Sequence, residues 1–236
     1  MTVLPAVDLF EKKAVRLLRG EYERMTVYSD APVETAKKME AEGAAWLHTV
    51  DLEGARDGTA PNLGVVEEIV KNTGLFVEFG GGIRTMETLE RVFAAGVKRA
   101  ILGTAAVTDR AFLEKAAGKY GDGVAVGADL KDGAVAIRGW RETSGEKTGD
   151  FLSRLEEMGV GTVICTDISR DGALTGPNRE LYRRMKETFS MEIVASGGIS
   201  SLEDLKALAA LGLDGAIVGK ALYTGAVDLG EAVRTV

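Results

Sequence analysis

The chain has 236 residues, 45% of them hydrophobic and only 6% aromatic, which is enough for one sizeable core built mainly from Val, Leu, Ile and Ala. A formal net charge of −7 and a single histidine argue against a nucleic-acid binder, which needs a basic face, and against a His-based metal site. Cys165 is the only cysteine, so no internal disulfide is expected; an inert core thiol in a reducing cytoplasm is. The amino-terminal residues do not read as a secretory leader, and no apolar run reaches membrane-spanning length.

In chain order, short runs rich in Val and Ile alternate with segments of helical period. Strands are predicted at Val3–Asp8, Trp46–Asp51, Leu75–Phe79, Arg99–Gly103, Val124–Asp129, Thr162–Asp167, Glu192–Ser196 and Gly215–Gly219. Helices are predicted around Pro32–Glu42, Leu63–Asn72, Met86–Ala95, Asp109–Lys119, Thr148–Met158, Arg179–Thr188, Leu202–Leu211 and Asp228–Val236. Several strands are apolar throughout, as parallel strands covered on both faces are. Eight βα units in a chain of this length predict an α/β fold, a single (β/α)8 TIM-barrel domain over residues 1–236. An open doubly wound sheet is the competing fold, but no GxGxxG run follows the first strand.

The chain also repeats itself. At an offset of 116 residues, Gly80–Gly103 (GGGIRTMETLERVFAAGVKRAILG) lies over Ser196–Gly219 (SGGISSLEDLKALAALGLDGAIVG), with ten of 24 positions identical. The same offset pairs Asp51 with Asp167 and Pro61-Asn62 with Pro177-Asn178, and an offset of 121 pairs Asp8-Leu9 with Asp129-Leu130. Identities at loop positions, which packing does not dictate, predict two duplicated half-barrels, approximately residues 1–120 and 121–236.

Each half carries a glycine pair after its third strand, Gly81-Gly82 and Gly197-Gly198, and a further glycine after its fourth, Gly103 and Gly219. Glycine lets backbone N–H groups approach an anion closely, and a following helix adds a favourable dipole. In TIM barrels the loops after strands 7 and 8 are the usual phosphate site. One anion site is therefore expected at Ser196, Gly197, Gly198, Gly219 and Lys220. Its duplicate is expected at Gly81, Gly82, Gly103 and Thr104, with Arg84 as a further cation. Two such sites imply an elongated small-molecule ligand with a phosphate at each end. The competing reading is that these glycines only make turns.

Polar residues at carboxyl-terminal strand ends carry the chemistry in TIM barrels. Asp8 ends the first strand and Asp129 the fifth, so they should face each other across the mouth, a pairing suited to proton abstraction with proton donation. Thr166 and Asp171, in the run CTDISRDG, are supporting candidates, with Asp171 an alternative acid. His48, within the second strand, is a candidate substrate contact or a satisfied structural residue. Trp140 suits stacking on a flat heterocycle or plain packing. Asp51 and Asp167 suit loop capping.

The runs LPAVDLFEKKAVRLLRGEY, LHTVDLEGA, EFGGGIR, GADLKDGAVAIRGW, ICTDISRDGALTGPN, ASGGIS and IVGKALY, in this order, resemble the phosphoribosylformimino-aminoimidazole carboxamide ribotide isomerase family of histidine biosynthesis. The resemblance implies a metal-free and cofactor-free barrel. It implies an Amadori rearrangement of a bis-phosphoribosyl aminoaldose to the aminoketose, with Asp8 as general base, Asp129 as general acid, and Thr166 and Asp171 in support. Phe10-Glu11-Lys12 departs from the Lys-Asp-Gly-like turn more usual in that family. Three alternatives stand beside this: a dual-substrate isomerase also acting on phosphoribosyl anthranilate, the cyclase subunit of imidazole glycerol phosphate synthase, and a non-catalytic bisphosphate-binding scaffold. The single-substrate form is favoured by RETSGEK, and the cyclase typically has a DVKxG-like first strand. A cytoplasmic monomer with no nucleic-acid or membrane partner is expected.

Overall fold

The computed structural model describes residues 1–18 and 20–236. Among the described residues, twelve strands are present: β1 (Thr2–Phe10), β2 (Lys13–Leu18), β3 (Glu21–Ser29), β4 (Trp46–Asp51), β5 (Phe76–Gly80), β6 (Arg99–Leu102), β7 (Val124–Lys131), β8 (Ala134–Ile137), β9 (Glu142–Lys147), β10 (Thr162–Asp167), β11 (Glu192–Ser196) and β12 (Gly215–Val218). Eight of them, in the order β1, β4, β5, β6, β7, β10, β11, β12, pair in parallel, and β12 returns to β1. The chain is thus a closed (β/α)8 barrel, and the open-sheet alternative is excluded.

Alternation along the strands divides the apolar residues between two cores. Leu4, Ala6, Ile101, Ala125, Ile164, Val194 and Ile217 fill the barrel. Their neighbours, such as Val3, Val7, Val126, Val163, Ile193 and Val218, point outward into the larger core beneath the helices. Those helices include α1 (Pro32–Ala41), α3 (Leu63–Asn72), α4 (Met86–Ala94), α6 (Arg110–Tyr120), α7 (Thr148–Glu157), α8 (Arg179–Thr188), α9 (Leu202–Ala210) and α11 (Leu229–Thr235), each bringing buried residues to that layer. No helix among the described residues is long and apolar enough to cross a membrane.

The structure adds elements that hydrophobic patterning did not reveal. β2 and β3 form an antiparallel excursion from β1, and β8 and β9 one from β7. Short helices α2 (Leu52–Asp57), α5 (Thr104–Thr108) and α10 (Lys220–Tyr223) sit in loops at the barrel mouth. Both excursions begin at two-residue turns whose central residues have positive φ, Glu11 (47°) with Lys12 (63°) and Asp132 (52°) with Gly133 (79°), the backbone that two-residue hairpins require.

Local features recur at the offset of the repeat. Thr85 caps α4 by accepting from Thr88 N, and Ser201 caps α9 by accepting from Asp204 N. Asp51 accepts from Gly54 N and from the backbone and side-chain nitrogens of Asn62, each at 2.8 Å. Asp167 accepts from Asn178 Nδ2 at 2.7 Å and from Ser169 Oγ at 2.6 Å. Asp51 and Asp167 are loop organisers, as the capping reading expected.

Candidate active site

Inward-facing positions at the carboxyl ends of the strands converge on one cleft. Asp8, His48, Asp129, Thr166, Asp171, Ser196, Gly81, Gly82, Gly103, Thr104 and Trp140 all line it. A smaller recess beside it is lined by Gly198, Gly219 and Lys220, and shares Arg16, Asp171 and Ser196 with the main cleft. Gly197 lines neither. Among the described residues, no group of three or more His, Cys, Asp or Glu side chains is arranged to hold a metal ion.

Asp8 and Asp129 lie on β1 and β7, which stand opposite each other in the ring of eight. The β1–β2 turn brings Arg16 back over β1, and its guanidinium donates to Asp8 Oδ2 at 2.6 Å. Burial opposes the charge on Arg16, but Asp8 and Asp171 beside it more than offset this and hold the guanidinium protonated. On β7, burial raises the Asp129 carboxyl above its ordinary value, and donors on Trp140 and Thr166 partly oppose the rise. Thr166 is the register partner of Asp129 across β10 and β7. Asp171, in the loop after β10, is pushed up to about 6. Burial is the main cause; Arg16 pulls the value down, and the carboxylates of Asp8 and Asp129 add to the rise. The cleft therefore holds carboxyl groups in unlike environments, the condition under which one accepts a proton while another supplies it.

Each glycine pair has a steric cause of its own. Gly81 and Gly82 have φ of +100° and +81°, and a Cβ on either would run into the carbonyl of Asp51 or Thr59. Gly197 and Gly198 (φ +92° and +84°) are held in the same way against Asp167 and Gly176. The turn reading of these four thus has direct support. Gly103 differs, since a Cβ there would meet nothing within 4 Å. At Gly219 the place of a Cβ is taken by the Arg16 guanidinium. Lys220 Nζ donates to the Gly172 carbonyl at 2.8 Å, Thr104 Oγ1 accepts from Arg138 N at 2.8 Å, and Arg84 donates to the Ala55 carbonyl at 3.1 Å.

Trp140 sits in the turn between β8 and β9 with φ of +68°. Its ring packs so closely on Gly20 that a Cβ there would lie 2.6 Å from Trp140 Cε3, so the two excursions meet beside the cleft. His48 Nδ1 lies 2.6 Å from Glu78 Oε1, and Glu78 is fully buried. Burial pushes that carboxyl up, but His48 and Arg99 outweigh it and hold Glu78 below its ordinary value. Burial raises the Cys165 thiol, which leaves it protonated and inert.

Sequence reasoning missed Arg16, Glu78 and Arg99. Arg16 lies in an excursion without clear periodicity. Glu78 and Arg99 share inward parity with Gly80 and Ile101 on their strands, so alternation alone placed two charges inside the barrel, where a partner is required.

A family model described as "Histidine biosynthesis protein" matches residues 2–228. The chain is 46% identical over 236 residues, covering all of both chains, to the protein of Ruminiclostridium cellulolyticum named 1-(5-phosphoribosyl)-5-((5-phosphoribosylamino)methylideneamino) imidazole-4-carboxamide isomerase. Proteins with the same name from Acetivibrio thermocellus (46% over 234 residues, 99% of each chain) and Desulfitobacterium hafniense (47% over 241 residues, 100% of this chain and 97% of the other) are similarly related. With the match running from the first barrel strand through the last, and Asp8, Asp129 and Asp171 of the cleft within it, the chain belongs to the histidine biosynthesis protein family.

Proposed function

We propose that the chain is an aldose–ketose isomerase that converts a bis-phosphoribosyl aminoimidazole carboxamide aminoaldose to its aminoketose by an Amadori rearrangement in histidine biosynthesis. The observation that carries the reading is the pair of carboxylates on opposed strands, Asp8 and Asp129, facing one cleft; the name shared by the full-length relatives supports the same reaction. Asp129, whose raised value favours the protonated form, donates to the ribose ring oxygen. The C1′–O bond breaks and the ring opens to a protonated Schiff base. Asp8, held in place by Arg16, removes the C2′ proton; the electron pair moves into the iminium to give an enolamine, which tautomerises to the ketose. The iminium is its own electron sink, so the chemistry calls for no cofactor. Thr166 supports Asp129, and Asp171 lies close enough to both carboxylates for their fields to raise its own value.

The substrate's phosphates would lie at Gly81, Gly82, Gly103 and Thr104 on one side and at Ser196, Gly198, Gly219 and Lys220 on the other, with Gly197 backing the second loop. Trp140 would cover the heterocycle. A two-phosphate small molecule in the cytoplasm is the expected partner. Incubation of the purified chain with the bis-phosphoribosyl aminoaldose, followed by its ultraviolet spectrum, should show conversion to the ketose. A spectrum unchanged by active-site concentrations of enzyme overturns the reading.

A further inference from the structure

Inside the barrel, below the cleft, three side chains from adjacent strands form a buried chain of hydrogen bonds. Glu78 Oε1 meets His48 Nδ1 at 2.6 Å, while Glu78 Oε2 accepts from Arg99 Nε at 2.9 Å and from Arg99 Nη2 at 2.6 Å. Arg99 is anchored in turn: its guanidinium lies 4.7 Å from the centre of the Trp46 ring, and its Nη1 is 3.9 Å from Glu192. The proton transfers assigned to Asp8 and Asp129 use none of these groups.

We propose that Glu78 is a positioning residue that fixes the proton of His48 on Nδ1, so that Nε2 is presented to the cleft as a hydrogen-bond acceptor selecting a hydroxyl or amide N–H donor on the substrate. The argument is one of donor and acceptor count. Arginine has only donors, so Oε2 of Glu78 is committed to accepting. The carboxylate has no proton to offer from Oε1, so Nδ1 must be the donor. A neutral imidazole with its proton on Nδ1 carries its lone pair on Nε2. His48 has no second hydrogen bond among the described residues, and it lines the cleft. The proposal rests on the isomerase reading only for the nature of the donor, since ribose hydroxyls and a carboxamide would supply it.

Glu78→Gln makes the inference testable with nearly unchanged volume. The amide has a single acceptor oxygen, which Arg99 claims, so its NH2 group must turn to His48. Nδ1 then becomes the acceptor and the proton moves to Nε2, which inverts what the cleft is offered. The chain has one histidine, so nitrogen-15 imidazole spectra of the full-length protein, recorded where the ring is neutral, report this site alone. The wild type should carry its proton on Nδ1, and Glu78→Gln should carry it on Nε2. In the variant, KM for the bis-phosphoribosyl aminoaldose should rise by about tenfold, the order expected when a hydrogen-bond partner is replaced by a mismatched one, while affinity for inorganic phosphate stays unchanged. A wild-type ring protonated on Nε2, or on both nitrogens under all conditions, overturns the proposal whatever the variant's folding. A variant that keeps Nδ1–H overturns it as well, and an unchanged KM overturns the selection of a donor. Should the wild type fail to turn over this substrate, the isomerase reading falls, yet the wild-type tautomer still decides the role of Glu78.

Discussion

Arg16 ties Asp8 to its place at 2.6 Å, and both act on the titration of Asp171, Arg16 lowering it and Asp8 raising it. Asp8→Asn and Asp129→Asn keep shape but remove the proposed base and acid. Each should lower kcat by about 10²–10⁴-fold with little change in the dissociation constant, because the glycine loops are untouched. Asp171→Asn is the control: if it abolishes turnover while Asp129→Asn stays near wild type, the acid role passes to Asp171. The same residue gives a stability prediction of defined sign. Its carboxyl titrates at about 6 in the folded chain against an ordinary 3.8, so the folded state holds the proton more tightly than the unfolded one. The stabilisation this provides is complete below about pH 4 and is lost as pH rises through about 6. Asp171→Asn lacks that loss, so the Tm difference, variant minus wild type, should become more positive between pH 4 and pH 8; a difference that stays flat or falls contradicts the burial of this group.

Loops and turns show where the elements were legible and where they were not. Asp132-Gly133 is a two-residue hairpin signal that went unread, because it lies just past a predicted barrel strand. Its counterpart Glu11-Lys12 is not, because neither residue favours positive φ. Tertiary contacts hold it instead: Glu11 N donates to Glu53 Oε2 at 2.7 Å and Lys12 N to Asn62 Oδ1 at 2.8 Å. The glycine loops were legible as special positions, but sequence could not separate glycines required by backbone packing from a glycine facing open space. Two substitutions make that separation. Gly82→Ala places a Cβ against the Thr59 carbonyl at a positive φ and should destabilise the fold by at least about 2 kcal/mol in urea denaturation. Gly103→Ala meets no atom within 4 Å, so it should cost less stability than Gly82→Ala in the same assay. Its methyl would enter the proposed anion site, so inorganic phosphate should bind more weakly. Unchanged phosphate affinity in Gly103→Ala would remove that site from the proposal.

At the scale of the whole molecule, the eight barrel strands were readable because most of their residues are buried and apolar, with polar residues such as His48, Glu78 and Arg99 as exceptions. The excursions β2–β3 and β8–β9 were not, since they lie over the mouth and carry mixed, polar surfaces such as the exposed run of β9. Asp8, Asp129 and Thr166 were legible from their places at strand ends, whereas Arg16 enters the site only through the fold-back of β2. The ring order carries a further consequence. β6 and β12 stand opposite each other, as do β5 and β11, so the loops holding Gly81, Gly82 and Gly103 oppose those holding Gly198 and Gly219, with Asp8 and Asp129 on the strands between. We read this as two half-barrels related by a twofold axis through the mouth, each supplying one anion site and one carboxylate. A ligand with a phosphate at each end then binds its second phosphate intramolecularly, and an avidity gain of about 10²–10⁴-fold over a single-ended ligand is expected when the span fits. Calorimetric titration of the wild type should give two inorganic phosphates per chain, and the bis-phosphoribosyl compound should bind at least about 10²-fold more tightly than ribose 5-phosphate. One phosphate per chain, or a single-ended sugar phosphate binding within tenfold of the two-ended one, would leave only one loop as an anion site and remove the symmetry argument for the substrate.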